Sequence, residues 1–98
     1  MRVNKLTIDG KSIFTTKKIN SILRENGFYW LIDSEIEDAD IEIKNNTLIW
    51  NSGKFYVGDW EYGIFKSGEF YGNFINGIFE NGLFKGKWYS GINLQSET

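Results

Sequence analysis

Apolar and polar positions follow three successive periods along this chain, and each period predicts a different element. Short apolar segments flank Asp9-Gly10, a pair that supplies the positive φ angles of a tight two-residue reversal, so Val3 to Ile8 and Lys11 to Phe14 are expected to pair as a β-hairpin. Thr15 or Thr16 can cap a short helix. Its apolar positions Ile19, Ile22 and Leu23 share one face at three- and four-residue spacing, and Asn26-Gly27 offers a left-handed stop. The run Phe28-Tyr29-Trp30-Leu31-Ile32 has strand length and no polar alternation, so a core strand under that helix is expected. From Ala39 the period becomes two, with Ala39, Ile41 and Ile43 on one side and Asp40, Glu42 and Lys44 on the other. Taking Asn45-Asn46 as a two-residue loop sets Ile43 opposite Leu48 and Ile41 opposite Trp50, so both strands send their apolar side the same way.

Beyond Trp50 a longer period takes over. Nine of the eleven glycines lie between Gly53 and Gly91, five residues apart except for four-residue steps from Gly68 to Gly72 and from Gly82 to Gly86. The unit that opens at Phe70 restarts fourteen residues later at Phe84, and internal repetition fixes architecture before any local reading does. Aromatics five apart, such as Trp50 and Phe55, Trp60 and Phe65, or Phe79 and Phe84, are expected as direct cross-strand neighbours across turns of the Ser52-Gly53 or Asn81-Gly82 kind. Aromatics four apart, Phe70 with Phe74 and Phe84 with Trp88, would share one face of an extended strand, the glycine between them making room. Phe55 to Trp60 holds one residue more, which a bulge absorbs with both rings inward. The resulting sheet is wider than one short helix can cover, so its aromatic face has to curl upon itself or be covered by another copy or a partner. The fold class is α+β, mostly β: an N-terminal hairpin and one short helix, then an antiparallel Gly/aromatic repeat sheet, with a β-solenoid as the alternative. Residues 1–38 form the hairpin-helix-strand cap, 39–93 the repeat and 94–98 a polar tail, all in one cooperative domain.

Tyr56-Val57-Gly58-Asp59-Trp60-Glu61-Tyr62-Gly63, together with Phe70 to Gly77 and Phe84 to Gly91, resembles the MORN repeat, a β-hairpin motif of the form Tyr-x-Gly-x-Trp-x-x-Gly. The units here recur every fourteen residues, shorter than in that family. The pattern is also similar to the tandem Trp/Phe-x-x-Gly proteins of phage genomes, which implies a phage-encoded structural or host-interaction protein. Ala39-Asp40-Ile41-Glu42-Ile43 resembles the pentapeptide-repeat solenoid, from which the four-residue steps depart.

Composition narrows the chemistry. The chain has no cysteine, no histidine and no proline, which removes disulfides, thiolate metal sites and nucleophile–histidine catalysis together. Its carboxylates cluster in one strand or scatter across turns, and no glycine loop leads into a helix as a phosphate site would. A non-enzymatic protein without cofactor or metal is expected. No apolar run approaches the ~18 residues of a membrane span, so the expected place is the cytoplasm or a particle assembled there. Net charge is −2 but unevenly placed: Arg2, Lys5, Lys11, Lys17, Lys18 and Arg24 oppose only Asp9, whereas Asp33, Glu35, Glu37, Asp38, Asp40 and Glu42 stand together.

These features imply a protein-binding or assembly module whose partner is another protein or a second copy. Overall acidity and the scarcity of arginine argue against nucleic acid as a partner. Partner-binding candidates are Trp50, Trp60 and Trp88 with Tyr56, Tyr62, Tyr71 and Tyr89, while Phe65, Phe70, Phe74, Phe79 and Phe84 read as core. A second reading takes the acidic segment as an edge that mimics nucleic acid and inhibits a DNA- or RNA-handling protein.

Overall fold

In the computed structural model, which describes residues 3–95, both hairpins expected from the alternation form. β1 (Val3–Ile8) and β2 (Lys11–Ile13) pair antiparallel with Ile8 opposite Lys11. β3 (Glu35–Lys44) and β4 (Thr47–Val57) pair with Ile43 opposite Leu48 and Ile41 opposite Trp50. Each reversal uses two consecutive residues of positive φ, Asp9 at 52° with Gly10 at 74°, and Asn45 at 52° with Asn46 at 61°. β1 also lies parallel to β3, so the N-terminal hairpin extends the same sheet. Between them α1 (Thr16–Glu25) starts after Thr15 and buries Ile19 and Leu23. Gly27 stops it at a φ of 82°, with Phe28 N–H donating to Leu23 O at 2.8 Å and Gly27 N–H to Arg24 O at 3.2 Å.

The apolar run after this stop is not a strand. Tyr29–Ile32 forms α2, a single helical turn that buries Trp30 and Leu31 and leaves Tyr29 exposed. A continuous apolar run suits a buried helical turn as well as a strand, and the space beneath decides between them. β3 roofs two sides of the repeat by pairing with β4, and the third side, headed by β5 (Asp59–Trp60), has no strand above it among the described residues. α2 fills that gap, setting the Trp30 ring edge-on to Trp60 at 5.0 Å.

The repeat adopts the solenoid arrangement. β6 (Ile64–Phe65), β7 (Glu69–Phe70), β8 (Asn73–Phe74), β9 (Ile78–Phe79), β10 (Leu83–Phe84), β11 (Lys87–Trp88) and β12 (Ile92–Asn93) pair parallel, each with a strand one coil away. One side of the coil runs Trp50, Phe65, Phe79, Asn93; the second Phe55, Phe70, Phe84; the third Trp60, Phe74, Trp88. The antiparallel pairing expected within the repeat is therefore corrected to parallel stacking. The cause lies at the corners: most are turned by a single glycine of positive φ, for example Gly63 at 113° and Gly77 at 124°, beyond the 52–74° of the two true reversals, and those at Gly72 and Gly86 turn without a positive φ. One residue in that region bends the chain around a corner, whereas a two-residue hairpin turn with glycine in second place is type I′ and needs two consecutive positive φ values.

Rings five residues apart thus become neighbours around a coil, and rings one coil apart become stacked neighbours. Phe65 meets Phe70 edge-on at 90°, while Phe65 and Phe79 stack at 5.0 Å with planes 7° apart. Such pairs contribute about 0.5–1.5 kcal/mol each beyond their burial. Gly72 and Gly86 serve coil-to-coil approach, and Gly72 also makes room for a ring, that of the coil above: a Cβ there would lie 2.7 Å from Gly58 O and 2.8 Å from Phe55 Cε1. The extra residue of the first coil is Val57, exposed, with Phe55 and Trp60 both inward as expected. The aromatic face closes on itself, and no helix among the described residues is long and apolar enough to cross a membrane.

Candidate functional site

The coil has two unlike ends. Its N-terminal end is roofed by β3 on two sides and by α2 on the third, and the rings of Trp50, Phe55 and Trp60 beneath are fully buried. Trp50 and Trp60 are thus core residues, and their place among the partner-binding candidates is corrected: the corners turn both rings inward, against Phe55 and Phe65. Tyr62 sits against Phe28 and Trp30, at 5.5 and 5.7 Å, and so braces the roof while keeping part of its ring in solvent.

Tyr56 and Tyr71 stack on each other outside the second side, 5.6 Å apart and 18° from parallel. The Tyr71 hydroxyl donates to Glu69, and that hydrogen bond, then burial, raises its pKa above the usual 10.0. Lys54 stands in the same row as Glu69 and is likewise raised, first by Tyr56 and then by Glu69. This patch is a self-satisfied polar surface.

The fold separates the acidic candidates. Asp33 ends α2, Glu35 and Glu37 lie over the second side opposite Val57 and Lys54, and Asp40 and Glu42 lie over the first. Asp38 marks the corner between those two sides with a φ of 55°. From Ala39 to Ile43 the strand is flanked by β1 and β4, and its start has β4 alone beside it among the described residues. Asp33 also lines a half-open cleft of about 230 Å³ with Trp30, Ser34, Gly58, Asp59 and Glu61. Among the described residues no group of three or more carboxylates is placed to hold a metal ion.

At the C-terminal end the rings emerge. Phe84 is half-buried, Trp88 is 37% exposed and Tyr89 54%, and Leu83, Ile92 and Leu94 are exposed beside them. Trp88 stacks on Phe74 at 4.6 Å, its other face uncovered among the described residues, and the Lys87 ammonium lies 5.4 Å over the Tyr89 ring. Of the aromatic candidates, Trp88 and Tyr89 are the two brought together here. The reading of the sequence did not single out Leu83, Ile92 or Leu94. A signal existed: Asn93 takes the position that Trp50, Phe65 and Phe79 hold in earlier coils, and marks where that column stops. No family model, curated protein or solved structure matches this chain.

Proposed function

We propose that this chain is a non-enzymatic protein-binding or assembly module that docks through the open end of its coil. One observation carries the reading: Leu83, Trp88, Tyr89, Ile92 and Leu94 are all exposed in the last stretch of the coil, while the inward rings before them, Trp50, Phe55, Trp60, Phe65, Phe70, Phe74 and Phe79, are fully buried. Exposed apolar groups gathered in one place mark interaction surfaces, and aromatic side chains are favoured anchors there. The outward edges of β10, β11 and β12 add backbone groups that no further strand covers among the described residues. The likeness to the MORN motif and to tandem repeat proteins of phage genomes supports a structural or host-interaction role, in the cytoplasm or in a particle assembled there.

The test compares the wild-type chain with a Tyr89→Ala, Leu94→Ser variant as baits in lysate of the source cells. Both positions are more than half exposed, so the two baits should melt alike. A partner retained by the wild type and released by the variant is the expected result. A partner held equally by both would move the docking surface elsewhere and overturn this reading.

A further inference from the structure

The open end is not equally open on its three sides. On the first, Asn93 stands under Phe79, its Oδ1 accepting from Gln95 N–H at 3.0 Å, while Gln95 Oε1 accepts from Gly82 N–H at 2.8 Å. That column is closed by polar groups of the chain itself. The second and third sides end in Phe84 and Trp88, each stacked from above, by Phe70 and Phe74, and by nothing from below among the described residues.

The backbone of the second and third sides is open as well. Carbonyls of Gly68, Phe70, Gly72 and Phe74 accept from the N–H groups of Leu83, Lys85, Lys87 and Tyr89, at 2.8–2.9 Å. One coil further on, no strand among the described residues donates to Gly82, Phe84, Gly86 and Trp88. An extended segment is the shape that completes such an edge.

Charge says what kind of segment. Among residues 82–95 the only charged side chains are Lys85 and Lys87. Rows along the coil pair unlike polar groups: Asn73 Nδ2 donates to Asp59 Oδ1 at 3.0 Å, and Lys54 neighbours Glu69. In the first of these rows Lys87 comes next, after Asn73, and no described residue follows it in the row. A second copy related by a two-fold axis would set lysines against lysines, which disfavours self-pairing at this end.

We propose that β10 and β11 take an extended acidic segment of a partner protein, with an apolar side chain stacked on the Phe84 and Trp88 rings and carboxylates on Lys85 and Lys87. This rests on the reading of the open end as a docking surface and names its occupant.

The test uses the full chain, labelled with 15N, and three capped hexapeptides: Ser-Gly-Glu-Phe-Glu-Ser and its counterparts with Gln or Lys in place of both Glu. Amide shifts are followed to millimolar probe. The Glu peptide is expected to perturb residues 83–89, with the Lys peptide bound about fivefold or more weakly, the effect of two exposed ion pairs. The doubly substituted chain Lys85→Glu, Lys87→Glu should reverse that order, which a general loss of folding cannot do. Equal binding of all three peptides at residues 83–89 would overturn the acidic occupant and leave the docking reading standing. Shifts elsewhere, or none with any peptide, would sink both. Concentration-dependent self-association that buries Trp88 would replace the partner with a second copy and overturn the proposal.

Discussion

At the scale of single residues, the hairpin loop at Gly10 and the coil corner at Gly77 differ in both φ and surroundings. Gly10 sits in a hairpin loop at φ 74° with nothing within 4 Å of a would-be Cβ. Gly77 turns a coil corner at φ 124°, where a Cβ would lie 2.6 Å from Gly63 O and 3.0 Å from the Trp60 indole nitrogen. The first position is strained for an L residue but has space; the second is strained and occupied. Gly10→Ala is therefore expected to cost about 1–2 kcal/mol, the left-handed penalty alone. Gly77→Ala should cost about 3 kcal/mol or more, because backbone of the neighbouring coil has to move as well. Urea denaturation of the two variants checks the order. Similar losses would mean that coil-to-coil approach does not constrain the corner.

Elements differ in how much of them the residues disclose. The two hairpins were legible because Asp9-Gly10 and Asn45-Asn46 combine turn chemistry with apolar alternation on both flanks, and a one-residue slip would have exposed Ile41, Ile43 and Leu48. α1 was legible from the spacing of Ile19, Ile22 and Leu23. Direction of pairing in the repeat was not, because a five-residue aromatic spacing satisfies both a hairpin and a coil side, and the deciding φ leaves no mark on spacing. The open end was half legible: Trp88 and Tyr89 were singled out, but their exposure depends on which coil is last in the stack. α2 is not legible for a related reason, since Phe28 to Ile32 carries no period and the third side, without a strand above it among the described residues, makes it a helical turn. That role makes α2 testable as a roof. Trp30→Ala removes the ring that covers Trp60 and is expected to destabilise by about 3–5 kcal/mol, whereas Tyr29→Ala, at an exposed position of the same turn, should stay within about 0.5 kcal/mol. Comparable effects from both would show that α2 merely connects α1 to β3.

For the molecule as a whole, stacking each coil on the last makes stability nearly one-dimensional, so the two ends need not open alike. The first coil is held by β3, by α2 and by the coil below, whereas among the described residues the last is held from above alone. Opening should start where rings are already exposed. Amides of Lys66 and Tyr71, which donate to Trp50 O and Phe55 O in the roofed coil, are expected to exchange slowly. Those of Tyr89 and Leu94, donating to Phe74 O and Phe79 O, should exchange faster, each coil toward the roof adding about 1–2 kcal/mol to the opening free energy. Native-state hydrogen exchange resolves this directly, and a uniform profile would show that the last coil opens only with the whole. A loose last coil also ties stability to docking: a segment that covers Phe84 and Trp88 supplies the missing neighbour, so protection gained on binding should be largest at Lys87 and Tyr89 and fade toward the roof.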